Sequence, residues 1–360
     1  MMAFLSFAAG LVLLVAGAEL MVRGASRLAL ALGISPLVVG LTVVALGTSA
    51  PEFAVAIKGA IEGKPDLVMG NVVGSNIFNV LAILGLTALV APLVVKREVV
   101  KREVPIMIGV SLLFTAFALD GRLLRVEGLV LVLLLGVYLA MLVWLARRNG
   151  REAAAVEAEL PDPDEKGPMR LRSVQVLAIL AGLAMLVLGS NWLVDAAITF
   201  ARWLGVSELV IGLTIVAAGT SLPEIATSII AALRGERDIA VGNIVGSNVF
   251  NLLGVAGVAA ALTPGGLEVA RSLLTFDIQV MVVAAIACLP ILFTRHMIAR
   301  WEGGLFFGYY IAYTTYLILY AQDHDALDEY TFVMTTVVIP LTVVTLVVVM
   351  AREWKRRLAA

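Results

Sequence analysis

The sequence predicts an all-α integral membrane protein, a ten-helix inverted repeat (5+5) with an additional C-terminal transmembrane helix. Of the 360 residues, 61% are hydrophobic, and the mean hydropathy is +1.01. The apolar runs reach the roughly 20 residues that a helix needs to cross a bilayer. One polar stretch occurs twice at a constant spacing of 172 residues. Each copy belongs to a predicted set of five spans, and an odd number of spans places the two copies in opposite orientations.

The first half of the chain is predicted to hold five membrane spans. Residues 1–22 form an apolar run with no basic segment before it, which argues against a cleaved signal peptide. Residues 17–20 also fall opposite residues 189–192 in the repeat, so we assign this run to the folded protein. The other four spans are expected near residues 34–60, 67–92, 104–119 and 124–146.

A charged segment with three prolines follows this half and is the predicted linker. Five further spans are expected near residues 173–198, 208–233, 239–262, 275–294 and 303–321, and an eleventh near 331–351. The predicted division is a first repeat at 1–147, a linker at 148–172, a second, inverted repeat at 173–321, and an acidic loop, eleventh helix and basic tail at 322–360.

The distribution of lysine and arginine predicts the orientation in the membrane. With the N-terminus outside, the segments on the inner side hold 20 of the 26 basic residues. Basic residues are enriched in the cytoplasmic loops of membrane proteins. We therefore expect a multi-pass plasma membrane protein with the N-terminus outside and with the linker and C-terminus in the cytoplasm.

The repeated stretch consists of two motifs in each copy. The first copy reads GTSAPE at 47–52 and GNVVGSNIFN at 70–79, and the second reads GTSLPE at 219–224 and GNIVGSNVFN at 242–251. Between residues 33 and 79, 27 of 47 positions match their counterparts. The shared residues are glycines, hydroxyls, amides, prolines and glutamates, whereas lipid-facing helices would share only aliphatic residues. The pattern therefore indicates a duplicated polar site inside the membrane.

The prolines of the first motif are expected to break their helices. Pro51 and Pro223 each lack an amide donor, which releases the carbonyl four residues earlier, at Gly47 and Gly219. Four hydroxyls lie in the same turns, from Thr48, Ser49, Thr220 and Ser221. Oxygen ligands of this kind suit a hard cation such as Na⁺ or Ca²⁺.

Glu52 and Glu224 supply negative charge next to these breaks. A carboxylate near the bilayer centre costs roughly 3 kcal/mol, so it needs a partner. No lysine or arginine lies in the core of either repeated span, which indicates a cation from solution. The second motif adds pairs spaced i, i+4 on one helix face. These pairs are Ser75 with Asn79 and Ser247 with Asn251.

The repeated residues also admit a purely structural interpretation. The glutamates could be protonated and hydrogen-bonded to neighbours, and the glycines of the second motif could serve helix packing alone. One cysteine, Cys288, and two histidines exclude a disulfide framework and argue against zinc, copper or iron. We expect no cofactor, no nucleic-acid partner and no obligatory protein partner.

The two motif pairs resemble the α-repeats of cation/calcium exchangers, specifically the prokaryotic sodium/calcium exchangers. The resemblance covers all ten spans and implies Na⁺-driven Ca²⁺ extrusion by alternating access, with two long helices that slide against a core. It implies that the carbonyls of two alanines join the side chains named above as ion ligands. The implied ligand set is Ala45, Thr48, Ser49, Glu52, Ser75, Asn79, Ala217, Thr220, Ser221, Glu224, Ser247 and Asn251.

This chain departs from the family pattern at three places. Archaeal relatives carry an aspartate at the position of Asn251, the linker is too short for the Ca²⁺-sensing domains of animal exchangers, and the eleventh span is additional. The rival functions are a proton/Ca²⁺ exchanger and a membrane-embedded enzyme that uses a divalent metal. The duplication argues against an enzyme, because catalysis does not require an inverted second copy of the site.

Overall fold

Helices dominate the computed structural model, which describes residues 2–157, 172–205, 217–293 and 296–359. The helices of the first half are α1 Met2–Leu32, α2 Pro36–Thr48, α3 Ala50–Ile61, α4 Pro65–Val90, α5 Val104–Ala118 and α6 Arg125–Glu157. Those of the second half are α7 Arg172–Trp203, α8 Ala217–Gly219, α9 Leu222–Leu233, α10 Arg237–Leu262, α11 Ile278–Phe293 and α12 Arg300–Ala321. The chain ends with α13 Leu327–Val333 and α14 Ile339–Ala359.

Among the described residues, seven helices are long and apolar enough to cross a membrane, or eight if the bent pair α2 and α3 forms one span. The protein is therefore a helical membrane protein. Helix α9 is apolar but has 12 residues, and the start of its predicted span, 208–216, lies outside the described residues. The total of ten spans and one additional span accordingly stays a prediction.

Two predicted boundaries differ from the helices in the structure. Helix α1 runs to Leu32, past the predicted end of its span at residue 22. Helix α6 runs to Glu157 and so enters the segment predicted as linker, whose residues 158–171 lie outside the described part of the chain. Residues 147–157 are rich in alanine, arginine and glutamate, which are good helix formers in water.

The break that the prolines predict is present in both halves. Helix α2 ends at Thr48 and α3 starts at Ala50, with a bend of 46° between them. Pro51 is the second residue of α3, a position where the missing amide hydrogen costs little. In the second half, α8 ends at Gly219 and α9 starts at Leu222, with Pro223 as its second residue.

Two short sheets join the halves of the chain. The strands are β1 Leu93–Val94, β2 Arg122–Leu123, β3 Leu267–Glu268 and β4 Met297–Ile298. Strand β1 pairs antiparallel with β4, and β2 pairs antiparallel with β3. Each sheet therefore takes one strand from each half, as expected if the halves are related by an internal duplication.

Helices α1 and α7 cross at paired glycines. A Cβ atom on Gly17 would lie 2.7 Å from the carbonyl oxygen of Gly182, and one on Gly182 would lie 2.7 Å from that of Gly17. Gly10 and Gly189 approach each other in the same way. Small residues at a crossing allow two membrane helices to pack backbone against backbone.

The C-terminal helices attach to α12 through hydroxyl groups. The Tyr309 hydroxyl donates to Thr342 Oγ1 over 2.7 Å, and the Tyr330 hydroxyl donates to the carbonyl of Ala312 over 2.8 Å. The most apolar window of α13 and α14 buries none of its residues inside the chain. These helices therefore lie on the outside of the bundle, where a membrane helix contacts lipid.

Candidate cation site

Glu52 and Glu224 lie in the first turns of α3 and α9, directly after the two helix breaks. Each side chain is 1% exposed. The backbone amides at a helix N-terminus point along the helix axis and favour negative charge. The break therefore places each carboxyl group at the one end of its helix where a buried negative charge is best tolerated.

Each glutamate is hydrogen-bonded to the break of the other half. The Ser221 hydroxyl donates to Glu52 Oε1 over 3.1 Å, and the Ser49 hydroxyl donates to Glu224 Oε1 over 3.3 Å. Thr220 and Thr48 also interact with Glu52 and Glu224, respectively. The structure thus brings all six predicted side chains of the GTS-x-PE motifs together at one place.

Two asparagines that do not belong to the predicted ligand set support the breaks from the second motif. Asn71 Nδ2 donates to the backbone carbonyl of Glu52 over 3.3 Å, and Asn243 Nδ2 donates to that of Glu224 over 3.5 Å. The Asn243 side-chain oxygen accepts from Thr48 Oγ1 over 3.0 Å. Both asparagines follow the first glycine of the repeated motif, and this correspondence is the sequence signal that could have identified them.

The serines and asparagines predicted as ligands in the second motif are also buried. Ser75, Asn79, Ser247 and Asn251 are at most 3% exposed. Asn79 lies in the π-helical turn Phe78–Leu84 of α4, and Asn251 begins the turn Asn251–Val255 of α10. Such turns widen an α-helix locally and are frequent at functional sites.

Several oxygens of these residues have no hydrogen-bond partner among the described residues. They are Glu52 Oε2, Glu224 Oε2, Asn79 Oδ1, Ser247 Oγ and Asn251 Oδ1. A buried polar atom without a partner is costly, and the great majority of buried polar atoms in proteins are paired. Five such oxygens, on the two helix breaks and the two helices that support them, are candidate ligands for a cation.

Neither Glu52 nor Glu224 has an ion-pair partner in the described part of the chain. The same part contains no group of three or more histidine, cysteine, aspartate or glutamate residues that could hold a metal ion. A cation bound between the glutamates would therefore complete its shell with hydroxyl, amide and carbonyl oxygens. Alkali and alkaline-earth ions accept such ligands, whereas transition metals prefer nitrogen and sulfur.

The two alanines expected to contribute carbonyls lie at the corresponding places before the breaks. The Ala45 carbonyl accepts the backbone amide of Ser49 over 3.0 Å and lies 3.4 Å from Thr48 Oγ1. Ala217 begins α8, and its side chain lies outside the described part. Apart from the partly exposed Thr220, the described side chains of the predicted set are buried.

Comparisons with known proteins agree with this arrangement. The family described as sodium/calcium exchanger protein matches residues 2–144 and 174–319. The putative antiporter CaxA of Alkalimonas amylolytica is 40% identical over 283 residues, which is 78% of this chain and 86% of the relative. The sodium/calcium exchanger MaX1 of Methanosarcina acetivorans is 34% identical over 344 residues, which is 87% of this chain and 98% of the relative.

A solved structure has a similar fold. It is the sodium–calcium exchanger NCX_Mj soaked with zero Na⁺ and Ca²⁺, which superimposes with a TM-score of 0.73 at 29% sequence identity. The similarity covers 86% of this chain and 97% of that one. The site described above thus lies in a fold that a sodium–calcium exchanger also adopts.

Proposed function

Because the chain belongs to the sodium/calcium exchanger protein family, a family of cation antiporters, we propose that it exchanges Na⁺ for Ca²⁺ across the plasma membrane. The observation that carries the proposal is the pair of buried glutamates, each with one carboxylate oxygen unpaired and each bonded to a serine of the other half. Two carboxylates neutralise one Ca²⁺, and Na⁺ binds the same class of oxygen ligand. The relatives are exchangers and antiporters, so the enzyme alternative is set aside.

The proposed ligands are the twelve residues predicted from the sequence. Hydrogen bonds or unpaired oxygens support seven of them. These seven are Ser49, Glu52, Asn79, Ser221, Glu224, Ser247 and Asn251. The remaining five are Ala45, Thr48, Ser75, Ala217 and Thr220. In this proposal Asn71 and Asn243 do not touch the ion but hold the backbone of the two helix breaks in place.

The proposed transport mechanism is alternating access at the bilayer midplane. The two breaks meet face to face, and each half contributes one glutamate and one serine to the contact. In inverted-repeat transporters, one bundle of helices moves against another around a fixed site between them. In the 5+5 arrangement, with the halves at 1–147 and 173–321, the moving helices proposed here are the two long helices α1 and α7, one from each half, which slide against a core.

The test of this function is Ca²⁺ uptake into proteoliposomes. An outward Na⁺ gradient is expected to drive uptake, whereas a pH gradient alone is expected to drive none. Uptake is also expected to proceed without K⁺, because position 251 carries a neutral amide and the site has two carboxylates in total. Uptake driven by the pH gradient alone would favour the proton/Ca²⁺ exchanger, and strict dependence on K⁺ would contradict the role given to Asn251.

The proposed orientation places the N-terminus outside and the linker and C-terminus in the cytoplasm. Single cysteines at Ala158→Cys and Ala359→Cys, in a Cys288→Ala background, are expected to react with an impermeant maleimide only after the cells are opened. A cysteine at Asp325→Cys, between α12 and α13, is the matched control and is expected to react in intact cells. Labelling of position 359 in intact cells would exclude this orientation.

A further inference from the structure

Three polar contacts tie the first half of the chain to the turn between α9 and α10 and to the start of α10. Glu19 of α1 accepts from both Arg23 and Arg234. Arg234 Nε contacts Glu19 Oε2, and Arg234 Nη2 contacts Glu19 Oε1. A two-point contact of this kind between arginine and a carboxylate is among the stronger charged hydrogen bonds. It fixes the middle of α1 to the end of α9.

The second and third contacts lie on either side of this pair. Ser26 Oγ of α1 donates to Glu236 Oε1 over 2.6 Å, and Lys96, two residues after β1, pairs with Asp238 over 2.7 Å. A cavity of about 400 Å³ lies next to the last pair, between β1 and the turn. The turn is therefore held by polar contacts around open space rather than by close apolar packing.

Among the described residues, the internal duplication does not repeat these pairings at the opposite face. The counterparts of Glu19 and Ser26 in α7 are Asn191 and Ile198, which carry no charge. In the corresponding turn between α3 and α4, Glu62 pairs with Lys64 of the same turn, whose hydrogen bond lowers the pKa of Glu62. The repeat preserved the central site but not these contacts.

The sheet at the other face also differs. Strands β1 and β3 correspond at a spacing of 174 residues, so the counterpart of Lys96 is the uncharged Ala270, and the ion pair at this sheet is instead Arg122 with Glu268 over 2.8 Å. This pair joins two strands and does not reach the turn between α3 and α4. Of these ion pairs, Glu19–Arg234 at one face connects a long helix to the turn, and those at the other face stay within a turn or a sheet.

We propose that the α1 contacts Glu19–Arg234 and Ser26–Glu236, next to the pair Lys96–Asp238, form a charged latch that holds one face of the exchanger closed. The face is the one predicted to be cytoplasmic, so the latch biases the empty protein toward closure on the inside. The inference rests on the proposed alternating access, in which α1 moves against the helices that carry the glutamates. Opening this face separates Glu19 from Arg234, whereas their counterparts at the other face, Asn191 and Glu62, cannot form such an ion pair.

The expected size of the bias follows from the exposure of the charges. The Glu19 and Arg234 side chains are 28% and 37% exposed, so water screens their attraction in part. One partly exposed ion pair is expected to change the ratio of closed to open populations by a factor of about three to five. The bias is also expected to weaken at high ionic strength, because salt screens exposed charges.

The latch is tested by a distance measurement that does not depend on transport. Spin labels are attached at Leu30→Cys and Leu233→Cys in a Cys288→Ala background. Double electron–electron resonance between them reports the distance between α1 and the turn. Both native side chains are exposed, at 54% and 61%. Glu19→Gln and Arg234→Gln are each expected to increase a second, longer-distance population by about three- to fivefold.

The matched control is Glu62→Gln in the corresponding turn, which is expected to leave the distances unchanged. The exchanged pair Glu19→Arg with Arg234→Glu is expected to restore the original distribution, because Arg23 can still contact the new carboxylate. Distances in Glu19→Gln and Arg234→Gln that overlay those of the parent protein would overturn the latch, even if Na⁺/Ca²⁺ exchange is present. A longer-distance population without Na⁺-driven Ca²⁺ uptake would instead support the latch and overturn the proposed function.

Discussion

Glu52→Gln and Glu224→Gln are each expected to lower Na⁺-driven Ca²⁺ uptake by about 100-fold or more. Removal of one partner from a buried charge pair typically costs about 3–5 kcal/mol, and each 1.4 kcal/mol corresponds to roughly a factor of ten. With one carboxylate neutral, a dipositive ion would be half compensated between two side chains that are each 1% exposed. Glutamine keeps the size of the side chain and can still accept from Ser221 or Ser49.

Both variants are expected to fold. Two buried carboxylates without a cation destabilise the empty protein, and each substitution removes one of them. Thermal unfolding in detergent with and without Ca²⁺ separates the two effects. The parent protein is expected to be stabilised by Ca²⁺, whereas the variants should unfold at a similar or higher temperature without it and gain nothing from it. Glu62→Gln, at an exposed glutamate ten residues after Glu52, is the control. Uptake near the parent rate in Glu52→Gln or Glu224→Gln would show that the ion binds elsewhere.

The central site could be predicted from the sequence because the duplication preserves it without a gap. Glu52, Ser49 and their counterparts lie 172 residues apart, and the structure places them in contact across the halves. The prolines fixed the position of the helix breaks through a local rule of backbone chemistry, since a missing amide hydrogen acts on its own helix. No knowledge of the fold was needed for either step.

A second duplicated feature escaped prediction because the register shifts outside the motifs. Tyr138 donates to Glu103 over 3.0 Å, and Tyr313 donates to Asp277 over 2.7 Å. The carboxylates are 174 residues apart and the tyrosines 175, so a search at a spacing of 172 residues does not align them. Glu103 ends the π-helical turn Val99–Glu103 directly before α5, and Asp277 ends the turn Leu273–Asp277 directly before α11. Each pair joins such a turn to the next long helix, α6 or α12, which gives both halves the same internal contact.

The contacts of the latch were unpredictable for a different reason. Glu19 and Arg23 are four residues apart on one helix, and this local spacing is visible in the sequence. Arg234 is separated from Glu19 by more than half of the chain, so the pairing depends on how α1 crosses the second half. Charged residues near the ends of membrane helices are also expected on topological grounds alone. Nothing in the order of the residues therefore distinguishes this pairing from many others.

Close packing of the two halves fixes the distance between the helices that carry the site. Gly246 of α10 lies against α2, where an added Cβ atom would come within 2.8 Å of Ala45 Cβ and 2.9 Å of the Leu41 carbonyl oxygen. Gly242, one turn earlier, would meet the Leu37 carbonyl oxygen at 2.9 Å. Ala45 lies in the last turn of α2, directly before the break that leads to Glu52, so any displacement of α2 here is passed to the proposed ligands.

Gly246→Val is expected to reduce Na⁺-driven Ca²⁺ uptake by about 100-fold although no ligand is changed, since a displacement of about 1 Å at a functional site can have an effect of this size. The larger side chain must push α2 away from α10, because its nearest neighbours include backbone atoms that cannot rotate aside. Gly246→Ala is expected to give an intermediate loss.

Gly109→Val is the control and should retain uptake. Gly109 is an exposed glycine of α5, and no described atom lies within 4 Å of an added Cβ. Thermal unfolding of each variant separates a displaced site from a lost fold. Uptake in folded Gly246→Val that matches Gly109→Val would show that the spacing of α2 and α10 does not set the geometry of the site.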